Sequence, residues 1–255
     1  MAIKILSIDW DYYLDTDEST RHHCFPDGHD FGSSVGNSVW AMRYTHNTVN
    51  LENIGLIEDY QKLCQFFHAL TKEPIDFMVT SSHIDAYDFI NGLVKGNKSV
   101  EITNIDYHHD AYPCIRNYID TTQERTVCSR SGKSVDCGNW LTAILQERKN
   151  AEVRWVARED SDTKFAMADK EVAKRIRVIS HKEALEDLYD VIFICRSDMW
   201  SCPHLDGKFN ELWDIPNRKG FEILLNNRLY ENRWRNVRRE AKELKTMFGS
   251  FCPNP

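Results

Sequence analysis

The chain has 255 residues, of which 42% are apolar and 28% charged, and its formal net charge is −7. This length is enough for a well-buried core, and the aromatic content of 11% excludes a disordered chain. The acidic balance argues against a surface built for nucleic acid or for an anionic membrane, so we expect neither as a partner. No apolar run approaches the ~20 residues that a membrane-spanning helix needs.

The N-terminus and the cysteines indicate a cytoplasmic protein. The apolar start of the chain reaches Asp9 and Asp11 too soon for a signal peptide. The eight cysteines are scattered, and no two of them have the C-x-x-C spacing of a structural zinc site. We therefore expect reduced thiols and a cytoplasmic location.

Apolar periodicity predicts that strands and helices alternate along the chain. Strands are predicted over residues 3–8, 75–80, 99–105, 152–157, 177–180 and 191–195. Helices are predicted over 53–70, 86–94, 134–149, 169–177, 181–188 and, with a basic face, 221–248, whereas 16–50 is predicted to be a polar lid rather than core. The alternation indicates a three-layer α/β/α fold with a mostly parallel sheet, built as one domain over residues 1–255.

Three of the predicted strands end in carboxylates or histidine. These ends carry Asp9 with Asp11, then His83, then Asp106 with His108 and Asp110. Ligands of parallel sheets bind beyond the carboxyl ends of the strands, and residues two apart in an extended chain point to the same side. Burying so many carboxylates together is very costly unless cations neutralise them. Oxygen and imidazole ligands suit Mn²⁺ or a related divalent pair, so we predict a metal site here.

Each part of this pattern has an alternative interpretation. A D-x-D pair is common in loops and helix caps, and a single histidine such as His83 is more often a core or surface residue. Residues 106–110, with the alternating pattern D-x-H-x-D, are more specific, because three ligand-type side chains share one side of a strand end. The combination of the three clusters favours the metal site.

The same residues resemble the signatures of a known family, the ureohydrolase superfamily of arginases and agmatinases. Residues 106–110 read DYHHD and resemble its D-x-H-x-D signature, and residues 7–11 read SIDWD and resemble its S-x-D-x-D signature. His83 resembles the single histidine at the end of an earlier family strand, and residues 138–139 resemble a downstream G-N dipeptide. The resemblance implies an arginase-like fold and two Mn²⁺ ions per chain.

Within that superfamily the chain most resembles a divergent branch that includes the peptide arginases of ribosomal-peptide (RiPP) pathways. The motifs of this branch resemble DWDYY at residues 9–13, HID at 83–85 and GNW at 138–140. Peptide arginases convert arginine residues of a precursor peptide into ornithine and release urea. The resemblance therefore implies a hydrolase whose partner is an arginine-containing precursor peptide.

The sequence also departs from the family pattern. In ordinary arginases the S-x-D-x-D motif follows D-x-H-x-D, whereas here it precedes it. A circular permutation is therefore expected, and it would preserve the site because chain termini often lie close together. Residues 14–15 read LD where the arginase motif continues with D-P. Residues 138–142 read GNWLT and lack the proton-transfer histidine of the family's G-N-x-H-G, so a shuttle must come from elsewhere or from metal-bound water alone.

The resemblance implies a role for each ligand. One Mn²⁺ would be held by His83, Asp106, Asp110 and Asp9, and the other by His108, Asp106, Asp9 and Asp11, with Asp106 and Asp9 as the bridging residues. A hydroxide between the two ions would attack the guanidinium carbon. Asp110 would orient that hydroxide and pass on its proton, which makes it a catalytic residue.

A guanidinium substrate also needs planar carboxylate recognition. Asp198, which follows the strand over 191–195, is our candidate for this catalytic and substrate-binding role, with a helix cap or a solvent-facing side chain as its alternative. Asp136 and Glu101 are weaker candidates. Asn139 of the G-N pair is a second expected substrate contact.

Three other segments have open interpretations. Residues 22–30 contain three histidines, and we favour a polar lid over a third metal site, although one histidine could replace the missing shuttle. Residues 38–50 could line a groove for an extended substrate or serve as covering structure. The basic tail over 228–245 is expected to be a solvated amphipathic helix or a homo-oligomer contact.

Competing functions follow from the same residues. The leading hypothesis is a manganese-dependent arginase for peptides, and the same chemistry could act on free arginine, agmatine or another small guanidino compound. A deacetylase-like enzyme of the same fold would use one metal, and a degenerate scaffold would bind metal or a partner without catalysis. Six ligand-type residues favour two metals.

Overall fold

The computed structural model describes residues 2–26, 33–46, 50–71, 76–96, 98–118 and 125–251. Its strands are β1 (Ile3–Asp9), β2 (Leu14–Asp15), β3 (Gly55–Leu56), β4 (Asp76–Thr80), β5 (Val100–Ile105), β6 (Val127–Cys128), β7 (Ser134–Val135), β8 (Ala151–Val156), β9 (Ile176–Ile179), β10 (Val191–Cys195) and β11 (Ile223–Leu225). Its α-helices are α1 (Glu18–Cys24), α2 (Ser33–His46), α3 (Asp59–Ala69), α4 (Asp85–Leu93), α5 (Trp140–Glu147), α6 (Lys170–Ala173), α7 (His181–Leu185), α8 (Asp206–Arg218) and α9 (Arg233–Phe251). Short 3-10 helices cover Trp10–Tyr13, Leu51–Asn53, Pro203–Leu205 and Asn227–Tyr230.

Seven strands form one sheet in the order β11-β4-β10-β1-β5-β8-β9. Every neighbouring pair in it is parallel. Side chains of β10 alternate between two cores, with Phe193 in the core that contains Trp140 of α5 and Ile192 and Ile194 in the core that contains Phe209 of α8. The fold is therefore α/β, with a parallel sheet between helices, as the sequence predicts.

The predicted strands agree with the observed ones to within one or two residues, because buried parallel strands are short, nearly continuous apolar runs. The helix boundaries agree less well. The predicted helix over 134–149 begins only at Trp140, since Ser134 and Val135 pair with β6 instead. The predicted helix over 53–70 begins at Asp59, since Gly55 and Leu56 pair with β2.

Two segments differ more strongly from the sequence-based expectation. The described parts of 16–50 are not a polar lid, because Phe25 and Trp40 are fully buried in a third core that also contains Val237 of α9. The predicted helix over 221–248 is wrong in its first part, since Ile223–Leu225 adds a strand beside β4. Helix α8 was not expected. None of the described helices is long and apolar enough to cross a membrane.

The sheet order determines where the site lies. β1 is the middle strand, hydrogen-bonded to β10 on one side and to β5 on the other, and β4 lies beyond β10. Because all four strands are parallel, their carboxyl ends meet at one edge of the sheet. The segments that follow β1, β4, β5 and β10 therefore surround one place.

Candidate metal centre

The structure brings the six predicted metal ligands together at this edge. Asp9 ends β1, and Asp106 directly follows β5. Each of these carboxylates accepts a hydrogen bond from the backbone N–H two residues later, over 3.1 Å from Asp11 to Asp9 and 2.8 Å from His108 to Asp106. These short side-chain turns fold the chain back at the strand ends. They place both ligand pairs at the end of the sheet.

The first group of ligands surrounds His83, which lies in the turn between β4 and α4. Its Nδ1 atom is 3.1 Å from Asp9 Oδ2, 3.3 Å from Asp106 Oδ2 and 3.0 Å from Asp110 Oδ2. Single ligand atoms of Asp9, His83 and Asp106 lie within 4.8 Å of one another, so these three buried side chains could hold a metal ion.

The second group consists of Asp11, Asp106 and His108, whose ligand atoms also lie within 4.8 Å of one another. His108 Nδ1 is 3.2 Å from Asp11 Oδ2 and 4.0 Å from Asp106 Oδ1. Asp106 thus presents Oδ2 to the first group and Oδ1 to the second. One carboxylate is shared by the two groups, as a bridging ligand would be.

His83 is oriented by a partner on its other nitrogen. Ser7 Oγ lies 2.7 Å from His83 Nε2. In the tautomer that carries its proton on Nε2, the ring donates to Ser7 and leaves the lone pair of Nδ1 facing the carboxylates. The ring also stacks on Phe193, with 5.7 Å between centroids. This arrangement aims Nδ1 at the place where a cation would bind.

Electrostatics of the centre show that its negative charges need compensation. Burial, followed by repulsion from Asp11 and Asp106, raises the pKa of Asp9 to about 7. Burial and repulsion from Asp110 raise the pKa of Asp106 to about 8. Burial opposes the charged forms of Asp11 and His108, but their mutual attraction outweighs it, lowering the pKa of Asp11 and raising that of His108 to about 9. The centre therefore retains protons where no cation is bound.

The donor atoms fit a divalent cation. Both carboxylate oxygens of Asp11 and Nδ1 of His83 have no hydrogen-bond partner among the described residues, although both side chains are buried. Leaving buried polar atoms unsatisfied is costly, and a cation in the first group would satisfy His83, whereas one in the second group would satisfy Asp11. Carboxylate and imidazole ligands suit Mn²⁺ and related ions.

Asp110 is held in a strained conformation by Trp140, the last residue of the GNW motif, to which the sequence analysis assigns no role. Its φ angle is +47°, in the left-handed region that favours glycine. Trp140, the first residue of α5, donates its indole N–H to Asp110 Oδ2 over 2.5 Å. The backbone N–H of Leu141 donates to the carbonyl of Asp110 over 3.2 Å. Such strain persists only where surrounding contacts enforce it, and it is common at functional sites.

A cavity of about 520 Å³ opens beside the centre, within the ~300–1,000 Å³ range of ligand pockets. It is bordered by Asp9, His108 and Asp110 from the centre, and by side chains that include Tyr112, Ile115, Asp136, Asn139, Ser197 and Trp200. Trp200 packs against His108, with 5.0 Å between ring centroids. The aromatic walls come from loops and gave no periodic signal in the sequence.

The predicted substrate contacts lie in different places. The described lining of the large cavity does not include Asp198, which borders an adjacent space of only about 10 Å³. Arg196 donates to Asp198 through Nε over 2.6 Å and Nη2 over 3.0 Å. Asn139 does border the large cavity, and its Oδ1 accepts the backbone N–H of Asp136 over 3.0 Å. Substrate binding by Asp198 or Asn139 stays a prediction.

The histidine-rich segment is described only in part. His22 and His23 lie on α1 with exposed side chains, and His23 Nδ1 is 2.8 Å from the carbonyl of Ser19 one turn earlier. Neither borders the cavity. Residues 27–30 of that segment lie outside the described residues.

Comparisons with known proteins leave the site to be interpreted from its own geometry. No protein-family model matches the chain, and no curated protein and no solved structure is significantly similar to it.

Proposed function

We propose that the chain is a hydrolase of guanidinium groups that uses two Mn²⁺ ions, and that its substrates are arginine residues of a peptide. The observation that carries the proposal is the position of Asp106, whose two oxygens face His83 and His108 in two adjacent ligand groups. The motif resemblance to ureohydrolases supports it independently of the geometry. The circular permutation is part of the same proposal, supported by β1 lying directly beside β5.

The metal centre and the cavity have different roles in such a reaction. When bound, a pair of divalent ions would lower the pKa of a bound water to near neutrality. The ions would also act as Lewis acids toward the substrate. Asp110 borders the cavity and is fixed by Trp140, so its carboxylate can orient the attacking water and hold the proton that the water releases. Ser7 keeps His83 in the ligating orientation.

Recognition of the guanidinium is assigned to the cavity walls. Asp198 lies outside the described lining of the cavity, whereas Asp136 borders it, so we propose Asp136 as the carboxylate that faces the substrate. The aromatic rings of Tyr112 and Trp200 also border the cavity and can flank a planar cation. The missing shuttle histidine is consistent with proton transfer through Asp110 itself.

The mouth of the cavity favours a peptide over a small compound. Ile115 and Tyr112 both border the cavity, and they are 83% and 36% exposed. A free guanidino compound would leave this apolar surface uncovered, whereas residues that flank an arginine in a peptide would contact it. Free arginine and agmatine are therefore expected to be poorer substrates.

Mass spectrometry tests the proposal directly. The Mn²⁺-loaded protein is incubated with arginine-containing peptides, and conversion of arginine to ornithine is read as a loss of about 42 Da together with release of urea. Asp106→Asn serves as the inactive control, and the same peptides with lysine in place of arginine serve as the substrate control. No mass change with peptides, free arginine or agmatine would exclude guanidinium hydrolysis.

Metal content distinguishes the proposed hydrolase from the second candidate function, a one-metal deacetylase-like enzyme. Two ions per chain favour the proposed hydrolase, whereas one ion per chain combined with release of acetate from acetylated amines favours the alternative. Bound metal with no turnover of either substrate class would indicate a binding scaffold.

A further inference from the structure

Arg21 is a buried cation beside the second group, and neither the sequence motifs nor the proposed chemistry uses it. It lies on α1, and its side chain is 3% exposed. Its Nη1 atom is 3.6 Å from Asp11 Oδ2, and Nη2 donates to the backbone carbonyl of Asp11 over 2.8 Å. The guanidinium therefore contacts Asp11 on both its carboxylate and its backbone.

Several contacts fix the guanidinium in this position. Its central carbon lies 3.9 Å from the centroid of the Tyr107 ring, in a cation–π arrangement. Helix α1 is capped by Asp17, which accepts the backbone N–H of Thr20 over 2.6 Å. Arg158 and Asp160 also act on Arg21 electrostatically, with opposite signs. Arg21 is thus a permanent positive charge held next to one metal ligand.

The first group has a different charge balance. The carboxylates of Asp9, Asp106 and Asp110 all face His83, and among the described residues none of the three is within ion-pair distance of an arginine or a lysine. Asp11 of the second group is paired with both His108 and Arg21. A divalent cation entering the second group meets the repulsion of a guanidinium that pairs directly with one of its ligands, whereas the first group has no such pair among the described residues.

We propose that Arg21 weakens metal binding at the second group, so that the two positions of the centre fill in order, the first group before the second. The inference rests on the proposed two-metal centre and adds an unequal affinity that this chain's own residue imposes. Arg21 acts through Asp11, so it is a positioning and charge-balancing residue and not a catalytic one.

Titration of the metal-free protein with Mn²⁺ tests the inference without an activity assay. Free Mn²⁺ is counted by its electron paramagnetic resonance signal, and two dissociation constants are fitted. In the unsubstituted protein they are expected to differ by at least about tenfold. Arg21→Met keeps the apolar stem against Tyr107 but removes the charge, so the weaker constant should tighten by about tenfold while the stronger one is unchanged.

Two further variants separate charge from structure. Arg21→Lys retains the positive charge and should leave the weaker constant within about threefold of its original value. Arg158→Met is the matched control, because Arg158 hydrogen-bonds the backbone carbonyl of Leu14 on the same segment and is not within ion-pair distance of Asp11 among the described contacts. It should tighten the weaker constant much less than Arg21→Met does, because Arg158 acts on Arg21 electrostatically but does not pair with Asp11 among the described residues.

The possible outcomes distinguish this inference from the proposed function. Two equal dissociation constants in the unsubstituted protein overturn the inference alone, and this result does not depend on whether any variant folds. A weaker constant that is unchanged or further weakened in folded Arg21→Met also overturns it. A protein that binds no Mn²⁺ overturns both the inference and the proposed centre.

Discussion

Trp140 and Asp110 form a hydrogen bond of 2.5 Å at the edge of the proposed metal centre, from the indole N–H to the carboxylate Oδ2. The Trp140 ring also lies 4.9 Å from the ring of His83. A single side chain from the first turn of α5 therefore contacts both a proposed ligand and the proposed catalytic carboxylate. It directly follows the Gly138–Asn139 pair in the sequence.

Removing this hydrogen bond should slow the reaction without emptying the centre. We expect Trp140→Phe to lower kcat by about 10- to 100-fold, as is typical when a partner of a metal ligand is lost, while two Mn²⁺ ions still bind. Steady-state kinetics and metal analysis of the same preparation provide the measurement. Trp213→Phe is the control, since among the described residues its indole N–H donates to Asn210 in an exposed part of α8. Unchanged kcat in Trp140→Phe would show that Asp110 needs no such support.

The stability of the metal-free protein should fall as pH rises from about 6 to about 9. Asp9 and Asp106 have folded pKa values of about 7 and about 8, above their unfolded values, so their destabilising ionisation is completed only as pH rises through that range. The raised pKa of His108, about 9, contributes stability at low pH that is lost as pH approaches 9. Both effects have the same sign.

Thermal unfolding in chelator and in excess Mn²⁺ measures this dependence. The melting temperature in chelator should be lower at pH 8.5 than at pH 6.5, and the increase that Mn²⁺ produces should be larger at pH 8.5, because protons then compete less for the ligands. A Mn²⁺-induced increase that is the same at both pH values would contradict the proposed ligand set.

Substrate recognition can be assigned to one of two carboxylates by matched variants. Asp136→Asn should raise KM for an arginine peptide by about tenfold or more with a smaller effect on kcat, because a charged contact in the cavity is lost. Asp198→Asn should instead lower stability, since Asp198 is paired with Arg196. Steady-state kinetics combined with urea unfolding of both variants would distinguish them, and the reverse pattern would return the substrate role to Asp198.

The loop that carries Ser197 and Trp200 to the cavity is tied to the C-terminal helix. Arg233 donates to Asp206 through Nε over 2.9 Å and to the backbone carbonyl of Asp198. Arg233→Met removes the arginine that pairs with the buried carboxylate of Asp206. It should therefore reduce the free energy of unfolding by about 3–5 kcal/mol. Urea unfolding is the measurement, and Arg238→Met, on the exposed side of the same helix, should change it by less than about 0.5 kcal/mol.

The six-residue centre could be predicted from sequence because its information is local. Asp9 and Asp106 stand directly at the ends of apolar strands, and parallel strands carry their ends to one edge. Trp200 and Arg21 could not be predicted, since each reaches the centre from a loop or helix whose position depends on tertiary packing. Their residue types are as common in structural positions as in functional ones.

The fold also contains features that local sequence predicts and features that depend on tertiary packing. Strands of the central sheet were predictable, because continuous apolar runs such as β10 leave few alternatives. The prediction of a polar lid over 16–50 is wrong because that segment is mostly polar. Two large side chains in it, Phe25 and Trp40, are nevertheless enough to form a core with α9. Helix α8 was missed because its polar residues and an internal proline, Pro216, obscure its apolar side.

The most direct test of the proposed centre is a crystal structure of the Mn²⁺-soaked protein with data collected at the manganese absorption edge. Two anomalous peaks are expected, one beside His83 and one beside His108, with Asp106 between them as the shared ligand. The same crystals of Asp106→Asn should not retain both peaks. A single peak, or peaks away from these histidines, would contradict the two-metal centre on which the account rests.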